Sequence, residues 1–523
     1  MRKYVVLLMS LMAVSVSAQT PTGKDHHLEV AKNLDIFNQL YKNLELLYVD
    51  TLDPKKTITT GIDAMLKSLD PYTVYYAQDN QEELRMMLTG KYAGIGAIVR
   101  KHQKLNRVVI DEPYEGMPAA EVGLKKGDII LSIDDSLMTD KEVGYVSEHL
   151  RGEPGTSFLL KIFRPTTAKQ MSFKITRRNI KMPELPYYGM REGNIGYINF
   201  NQFTPESSQL VRRALIDLKK QGATSLIFDL RNNGGGAEQE AVDIVNLFVQ
   251  KGITVVENRG KMQQANKVYK TTVEPLDSVM PLVVLVNGET ASSSEITSGA
   301  IQDLHRGIIL GTRTFGKGLV QVPIDLPYNS SLKVTTAKYY LPSGRCVQGT
   351  GVTPDLEVKG DTIPNIAFYL TASGQDSTEV MFDYVVDYIY RHPTIAPVAE
   401  FHLTDADWKE FRQRVIDSGF TYDPVSKKQF EQLVKTAKFE GYYEDAKLAF
   451  DDLESKLNHN VAFDLDKHEA VLRQILESEI ISAYYFQAGT IEVGLNYDGQ
   501  LKEAERLLRN PEEYQKVLNS KNN

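Results

Sequence analysis

Apolar side chains recur at helical spacing near the start of the chain. The pattern is carried by Leu34, Phe37, Leu40, Tyr41, Leu44 and Leu47, and after Asp53-Pro54 it continues to Leu69. Spacings of three and four residues put side chains on one face of a helix, and Asp-Pro is typical of a helix start. We therefore predict a helical region over residues 24–90. Its apolar face would pack against a core or against a second copy of the chain.

Between residues 91 and 180 the pattern changes to short apolar runs separated by glycine turns. In residues 117–135, MPAAEVGLKKGDIILSIDD, a short helix ends at Gly123, a turn follows at Gly127, and a strand begins at Ile129. A further apolar run extends from Phe158 to Phe163. Short runs bounded by turn residues predict a small domain built mainly of β-strands.

Residues 186–360 alternate between buried strands and amphipathic helices. The strand candidates are 195–200, 226–228 and 282–286, and segments with helical spacing separate them. This alternation predicts an α/β fold with a largely parallel sheet. Residues 365–523 are charged and helical, and we expect them either to complete the core as a cap or to form a dimer or partner surface.

The first 18 residues have the features of a secretory signal peptide. Met1-Arg2-Lys3 precedes an apolar run from Tyr4 to Val16, and small residues ending at Ala18 supply a cleavage site. The run is too short for a membrane span. We therefore expect a protein secreted across the inner membrane to the periplasm or the exterior.

Composition narrows the classes of function. The chain has 523 residues, is 42% hydrophobic and 24% charged, and has a formal net charge of −8. An acidic protein without a basic stripe is a poor nucleic-acid binder, so we expect no nucleic acid among its partners. One cysteine excludes internal disulfides, and the sequence has no His-Glu-x-x-His motif, so we expect no metal and no cofactor.

Residues 281–321 concentrate the candidate chemistry. Three serines at 292–294 follow the strand 282–286 where a helix is predicted to begin. The backbone N–H groups there have no helical acceptor. Lys317 lies 25 residues after Ser292, between two glycines. The one histidine of the segment, His305, is interpreted as a surface residue within the helix.

Two interpretations of this segment stand on the residues alone. The serines could be helix caps and Lys317 a solvated loop charge. Alternatively, a serine without a histidine partner could be activated by a neutral lysine. The glycines beside Lys317 favour the second interpretation, because close backbone packing would remove water from the amine.

The segment resembles the active site of the carboxy-terminal processing peptidases, also called tail-specific proteases. That family carries roughly S-A-S-A-S-E-I and then G-K-G-x-x-Q, and this chain carries T-A-S-S-S-E-I and G-K-G-L-V-Q. The resemblance implies a serine endopeptidase with Ser292 as nucleophile, Lys317 as general base and Gln321 orienting the lysine. Ser293 stands where alanine is usual, and Glu295 is left as part of the helix start.

A glycine-rich motif extends the resemblance. Residues 229–236, DLRNNGGG, match the family's D-L-R-x-N-x-G-G. The match implies that the backbone amides of Gly235 and Ser293 stabilise the oxyanion. The fold implied for residues 186–360 is a crotonase- or Clp-protease-like α/β core.

Residues 91–180 resemble a PDZ domain, with Gly94, Ile95, Gly96 and Ala97 as its carboxylate-binding loop. Such domains bind a peptide by strand addition. The resemblance implies protein or peptide substrates with free C-termini, and a PDZ domain that inhibits, activates or delivers. A homodimer through the terminal helical regions is a further expectation.

Two other functions are compatible with the residues. A catalytically inactive PDZ-bearing scaffold would bind peptides without cutting them. A crotonase-like hydratase would share the amide oxyanion hole, but it would need a basic cluster for coenzyme A that the sequence does not show.

Overall fold

The computed structural model describes residues 23–181, 183–371, 376–457 and 460–520. The chain divides into two units between Tyr75 and Tyr76. The signal peptide predicted over residues 1–18 lies outside the described residues. Over the ranges given above, none of the helices has the length and apolar character needed to cross a bilayer.

The first unit is helical, as predicted. Its described elements are α1 (Gly23–Leu47) and α2 (Pro54–Lys67), followed by β1 (Val74–Tyr76) at the division between the units. The Lys56 N–H donates to the Asp53 side chain at 3.1 Å and so caps α2. The apolar stripe of α1 is exposed, by 64% at Leu34 and 52% at Phe37. A core-facing stripe is therefore the wrong interpretation for α1, because the first unit is too small to cover it.

The predicted PDZ region contains an antiparallel sheet, a separate sheet of two strands, and two short helices. Its elements, with the helix that precedes them, are α3 (Gln81–Thr89), β2 (Lys91–Gly94), β3 (Ala97–His102), β4 (Arg107–Pro113), α4 (Pro118–Glu121), β5 (Ile129–Ile133), β6 (Ser136–Leu137), α5 (Val143–Leu150), β7 (Ser157–Arg164), β8 (Lys169–Thr176) and β9 (Arg178–Lys181). The sheet order is β3-β4-β5-β7-β8, which puts β3 at an edge. An edge strand offers unpaired backbone groups to an added peptide.

The region of residues 187–357 contains two sheets. Its elements are β10 (Tyr187–Arg191), β11 (Ile195–Asn199), α6 (Ser207–Lys220), β12 (Ser225–Asp229), α7 (Glu238–Val245), β13 (Thr254–Gly260), β14 (Lys267–Lys270), β15 (Leu282–Val286), α8 (Ser293–Asp303), β16 (Ile308–Gly311), β17 (Leu319–Leu326), β18 (Ser330–Tyr340) and β19 (Leu356–Glu357). One sheet has the order β10-β11-β12-β15-β16-β19 and is parallel from β11 onward. This confirms the predicted α/β class.

A second, antiparallel sheet brings the lysine strand to the core. In it β13 lies between β14 and β18, and β17 pairs with β18. β17 begins at Leu319, two residues after Lys317. Residues 312–318, here called the lysine loop, therefore lead into a different sheet from the one that contains β15. The turn at Ser292 follows β15.

The C-terminal residues form helices throughout most of their length. They are α9 (Asn365–Thr371), α10 (Val380–Arg391), α11 (Asp405–Asp417), α12 (Val425–Glu440), α13 (Lys447–Leu457), α14 (Val461–Lys467), α15 (Glu469–Gly494), α16 (Gly499–Leu508) and α17 (Pro511–Leu518). Leu501, Leu507 and Tyr514 pack on the parallel sheet in one buried cluster. On its opposite face, α6, α7 and α8 form a second cluster with it. Both faces of the sheet are covered, which explains why β12 and β15 are buried along their whole length.

Candidate active site

Ser292 lies at the turn between a buried strand and a helix. β15 ends at Val286, α8 begins at Ser293, and Ser292 has φ 59° and ψ −118°. This conformation is strained for a residue with a side chain, at a cost of about 1–3 kcal/mol. Strained turns of this kind persist only where surrounding contacts hold them. The side chain is half-buried and lines a cavity.

The structure distinguishes the three serines. The Ser293 hydroxyl donates to the Gly236 carbonyl at 2.8 Å, and the Ser294 hydroxyl donates to the Asn233 carbonyl at 2.9 Å. Both residues are almost completely buried, with 1% and 0% exposure. Their hydroxyls therefore fasten the helix start to the glycine-rich loop. Of the three, Ser292 is the serine that is only half-buried, and it is therefore the candidate nucleophile.

The glycine-rich loop packs directly on the serine turn. Gly235 has φ 99°, and a Cβ there would lie 2.7 Å from the Ser292 Cβ and 2.9 Å from the Ser293 backbone nitrogen. Only glycine fits this approach. The Gly235 N–H donates to Asn233 Oδ1 at 2.9 Å. Its role as an oxyanion donor stays a prediction, and it requires that hydrogen bond to be exchanged for one to the substrate.

Lys317 is held between two closely packed glycines. A Cβ at Gly318 would lie 2.6 Å from the Gln348 backbone nitrogen, and Gly316 has φ 92°. Burial lowers the pKa of the Lys317 amine below its ordinary value, Lys333 lowers that pKa further, and Glu295 raises it. The amine can therefore lose its proton at a lower pH than an exposed lysine.

Glu295 connects the serine turn to the lysine loop. It is completely buried. Its Oε2 accepts the backbone N–H of Ser292 at 2.9 Å and that of Lys317 at 2.8 Å. Its Oε1 accepts the Thr314 hydroxyl at 2.5 Å and the Gly316 N–H at 2.8 Å. One carboxylate thus bridges two segments that are distant in sequence.

A cavity of about 650 Å³ brings the predicted catalytic residues together. Its lining includes Ser292, Ser293, Lys317, Gln321 and Gly235. The Gln321 side-chain amide donates to the Thr335 hydroxyl at 3.3 Å.

The predicted carboxylate loop lies apart from this cavity, in the PDZ region. Ile95 and Gly96 precede β3, and their carbonyls accept the N–H groups of Ala119 and Tyr114 at 2.9 and 2.8 Å. The residues predicted for cleavage and those predicted for tail binding therefore lie in separate parts of the structure.

Sequence reasoning missed two features of the site, Tyr339 and the bridging role of Glu295. It also placed His305 wrongly within a helix. The Tyr339 hydroxyl lies 2.6 Å from the Lys317 carbonyl oxygen and 3.1 Å from that of Ser292, and no motif marks it. For Glu295 the signal was its position three residues after Ser292, which suits a helix cap. His305 is not within the helix, because α8 ends at Asp303 and His305 has φ 49°.

The fold and the cavity are those of a serine-type peptidase with an inserted PDZ domain. Matching family descriptions are "Peptidase family S41" over residues 194–358, "PDZ domain" over 109–164 and "Probable PDZ-protease, C-terminal helical domain" over 369–508.

The chain is also similar in sequence to known processing proteases. A carboxy-terminal-processing protease of Bartonella bacilliformis is 34% identical over 359 residues, which cover 68% of this chain and 81% of the relative. A probable CtpA-like serine protease of Staphylococcus epidermidis is 31% identical over 357 residues, with 68% and 71% covered. The solved photosystem II D1 C-terminal processing protease is 29% identical, with a TM-score of 0.38 and 61% and 86% covered. The chain belongs to peptidase family S41, among the carboxy-terminal processing proteases.

Proposed function

We propose that this chain is a secreted endopeptidase that cleaves protein substrates near their C-termini through a Ser292–Lys317 acyl-enzyme. The observation that carries the proposal is a lysine of lowered pKa on the same cavity as a serine in a strained turn. The two neighbouring serines are already engaged with the glycine-rich loop.

The proposed reaction proceeds in two stages. The neutral Lys317 amine takes the hydroxyl proton of Ser292 while the serine oxygen attacks the scissile carbonyl carbon. Backbone amides of Ser293 and Gly235 hold the resulting oxyanion, and Gln321 orients the amine. The lysine then gives its proton to the leaving amine as the C–N bond breaks. Water hydrolyses the acyl-enzyme by the same proton route.

Peptide cleavage followed by mass spectrometry tests this proposal. Purified protein is incubated with unfolded peptides that have apolar C-termini, and the products are weighed. Wild type should release fragments, and Ser292→Ala should release none. Binding without any cleavage would identify the chain as a scaffold, and full cleavage by Ser292→Ala would reject Ser292 as the nucleophile.

We further propose that the PDZ region reads the free C-terminus of the substrate. The edge position of β3 beside Gly94–Ala97 supports this proposal. A tail bound there would raise the local concentration of the upstream peptide at the cavity. Free-acid peptides should therefore be cleaved with higher kcat/KM than the same peptides with amidated C-termini. Equal values for the two sets would contradict tail recognition.

Secretion rests on residues 1–18 and is tested separately. Cell fractionation should find the protein outside the inner membrane, with Gln19 as its first residue. A full-length chain in the cytoplasm would contradict the proposal.

The exposed stripe of α1 supports a homodimer. A second copy would cover side chains such as Leu34 and Phe37, which are now more than half exposed. Leu34→Glu should convert the dimer to a monomer in analytical ultracentrifugation, and the matched Asn33→Glu should not. A wild-type monomer at all concentrations would contradict this proposal.

A further inference from the structure

We propose that Glu295 is a positioning residue that fixes the Ser292 turn against the Lys317 loop and serves as the counter-charge of the lysine amine. This inference rests on the proposed Ser–Lys mechanism and extends it to a residue that the motif leaves as a helix cap.

The geometry of the hydrogen bonds carries the first half of the proposal. In a capping box the Glu295 side chain accepts one hydrogen bond, which the Ser292 N–H donates. The other three donors, Thr314, Gly316 and Lys317, all come from the lysine loop. Three of the four bonds therefore bind the two halves of the active site to each other and add nothing to helix capping.

The hydrogen bonds to Glu295 help to hold Ser292 in its strained conformation. A residue with a side chain at φ 59° and ψ −118° needs contacts that outweigh the conformational cost. The bond from the Ser292 N–H to Glu295 is one such contact. The same oxygen accepts the Lys317 N–H, so a shift of either loop is transmitted to the other.

Charge carries the second half, because the Glu295 carboxylate oxygen lies 2.8 Å from the backbone nitrogen of the residue whose amine it acts on. Among the residues that the structure describes, Lys333 on β18 lowers the pKa of the Lys317 amine and Glu295 on α8 raises it. Burial raises the pKa of Glu295 itself, while its hydrogen-bond donors, Thr314 first, hold that pKa down. An ionised Glu295 would keep the lysine pKa from falling further.

Glutamine is a severe replacement at this position. A carboxylate accepts on both oxygens, whereas an amide has one acceptor and one donor group. Its NH2 would face two of the four donors, so two bonds would be lost. Aspartate keeps the charge but is shorter by one methylene group.

The test compares Glu295→Gln, Glu295→Asp and the matched exposed control Glu289→Gln, each confirmed as folded by its melting curve. The readout is kcat/KM over a pH series. Glu295→Gln should lose about 100-fold in rate, as misplaced catalytic groups do. Its acidic limb should move to lower pH by about one unit, since a counter-charge shifts a pKa by roughly 1–3 units. Glu295→Asp should lose rate with the limb unmoved, and Glu289→Gln should match wild type.

Two outcomes overturn the proposal. Wild-type rates in Glu295→Gln, or a lower rate with an unmoved limb, would reduce Glu295 to a helix cap. If turnover is too slow, the rate of Ser292 labelling by a fluorophosphonate gives the same pH limb over hours. Cleavage by Lys317→Arg at the wild-type rate would instead defeat the Ser–Lys mechanism, whatever Glu295 does.

Discussion

In the proposed mechanism, the ionisation of Lys317 sets the pH range in which the enzyme is active. An ordinary lysine has a pKa of about 10.4. Burial lowers that pKa in the folded protein, so the neutral base forms at lower pH. Activity should rise with pH through the lowered pKa and be lost below it. A kcat/KM series with its maximum near pH 5 would contradict a neutral lysine base.

Replacing Lys317 separates catalysis from stability. Lys317→Met should lose about 10²–10⁴-fold in kcat, the usual contribution of a general base. Between the folded and unfolded pKa values, the unfolded chain binds more protons at this site, so wild-type stability rises with pH there. The gain in free energy of unfolding from Lys317→Met should therefore shrink as the pH approaches 10. Urea titrations at several pH values measure it, and a gain that grows with pH would contradict the burial argument.

Sequence motifs predicted residues that the structure brings together at one cavity, but not the contacts that hold them there. Ser292, Lys317 and Gly235 stand at motif positions, and the cavity brings them together. The bond between Gly235 N–H and Asn233, and the bonds of Glu295 to the lysine loop, depend on how separate segments meet. Local pattern contains no information on such contacts.

At the scale of elements, the PDZ region is docked on the C-terminal helices. Arg100 of β3 pairs with Glu379 at 2.6 Å, and His102 Nε2 lies 3.0 Å from Asp383 Oδ1. Phe382 and Val386 of α10 pack on Val109 and Ile129 in a small buried cluster. Part of the C-terminal helical region therefore packs against the PDZ domain of the same chain. The two roles considered from the sequence, a cap on the core and a surface for a partner, did not include this one.

Breaking the buried pair should loosen this docking. Glu379 is 2% exposed, and removal of one partner of a buried pair costs about 3–5 kcal/mol. Glu379→Ala should lower the free energy of unfolding by about 3 kcal/mol and increase hydrogen exchange in β3. Asp423→Ala, which removes a surface pair with Lys427, should cost at most about 1 kcal/mol. Equal effects of the two variants would contradict a buried anchor.

The alternation of strands and helices was sufficient to predict the parallel sheet. It did not predict the contact between residues 100 and 379, because side chains 279 positions apart leave no periodic signal. The exposed stripe on α1 shows the opposite limit. Helical spacing identified the apolar face correctly but could not tell a core from an open surface.

At the scale of the whole molecule, the last helices complete the catalytic sheet. The Tyr514 hydroxyl accepts the Leu282 N–H at 2.9 Å and donates to the Leu282 carbonyl at 3.1 Å. Arg231, from the D-L-R motif, donates to Gln500 Oε1 at 2.9 Å. These bonds attach α16 and α17 to the strands that lead to the Ser292 turn and the glycine-rich loop.

Tyr514→Phe tests this attachment. The change leaves the buried N–H of Leu282 without its acceptor, at a cost of about 1–3 kcal/mol. The melting temperature should fall while kcat stays near wild type, because the variant leaves the cavity untouched. The exposed Tyr442→Phe is the matched control and should leave the melting temperature unchanged. A wild-type melting curve for Tyr514→Phe would show that the attachment contributes little.

In the proposed mechanism Ser292, activated by Lys317, forms the acyl-enzyme. A fluorophosphonate probe reacts with an activated serine and can be mapped by peptide mass spectrometry. We expect one adduct, on Ser292, which is absent from Lys317→Met and is still found on Ser292 in Ser293→Ala. An adduct on Ser293, or normal labelling of Ser292 in Lys317→Met, would contradict it.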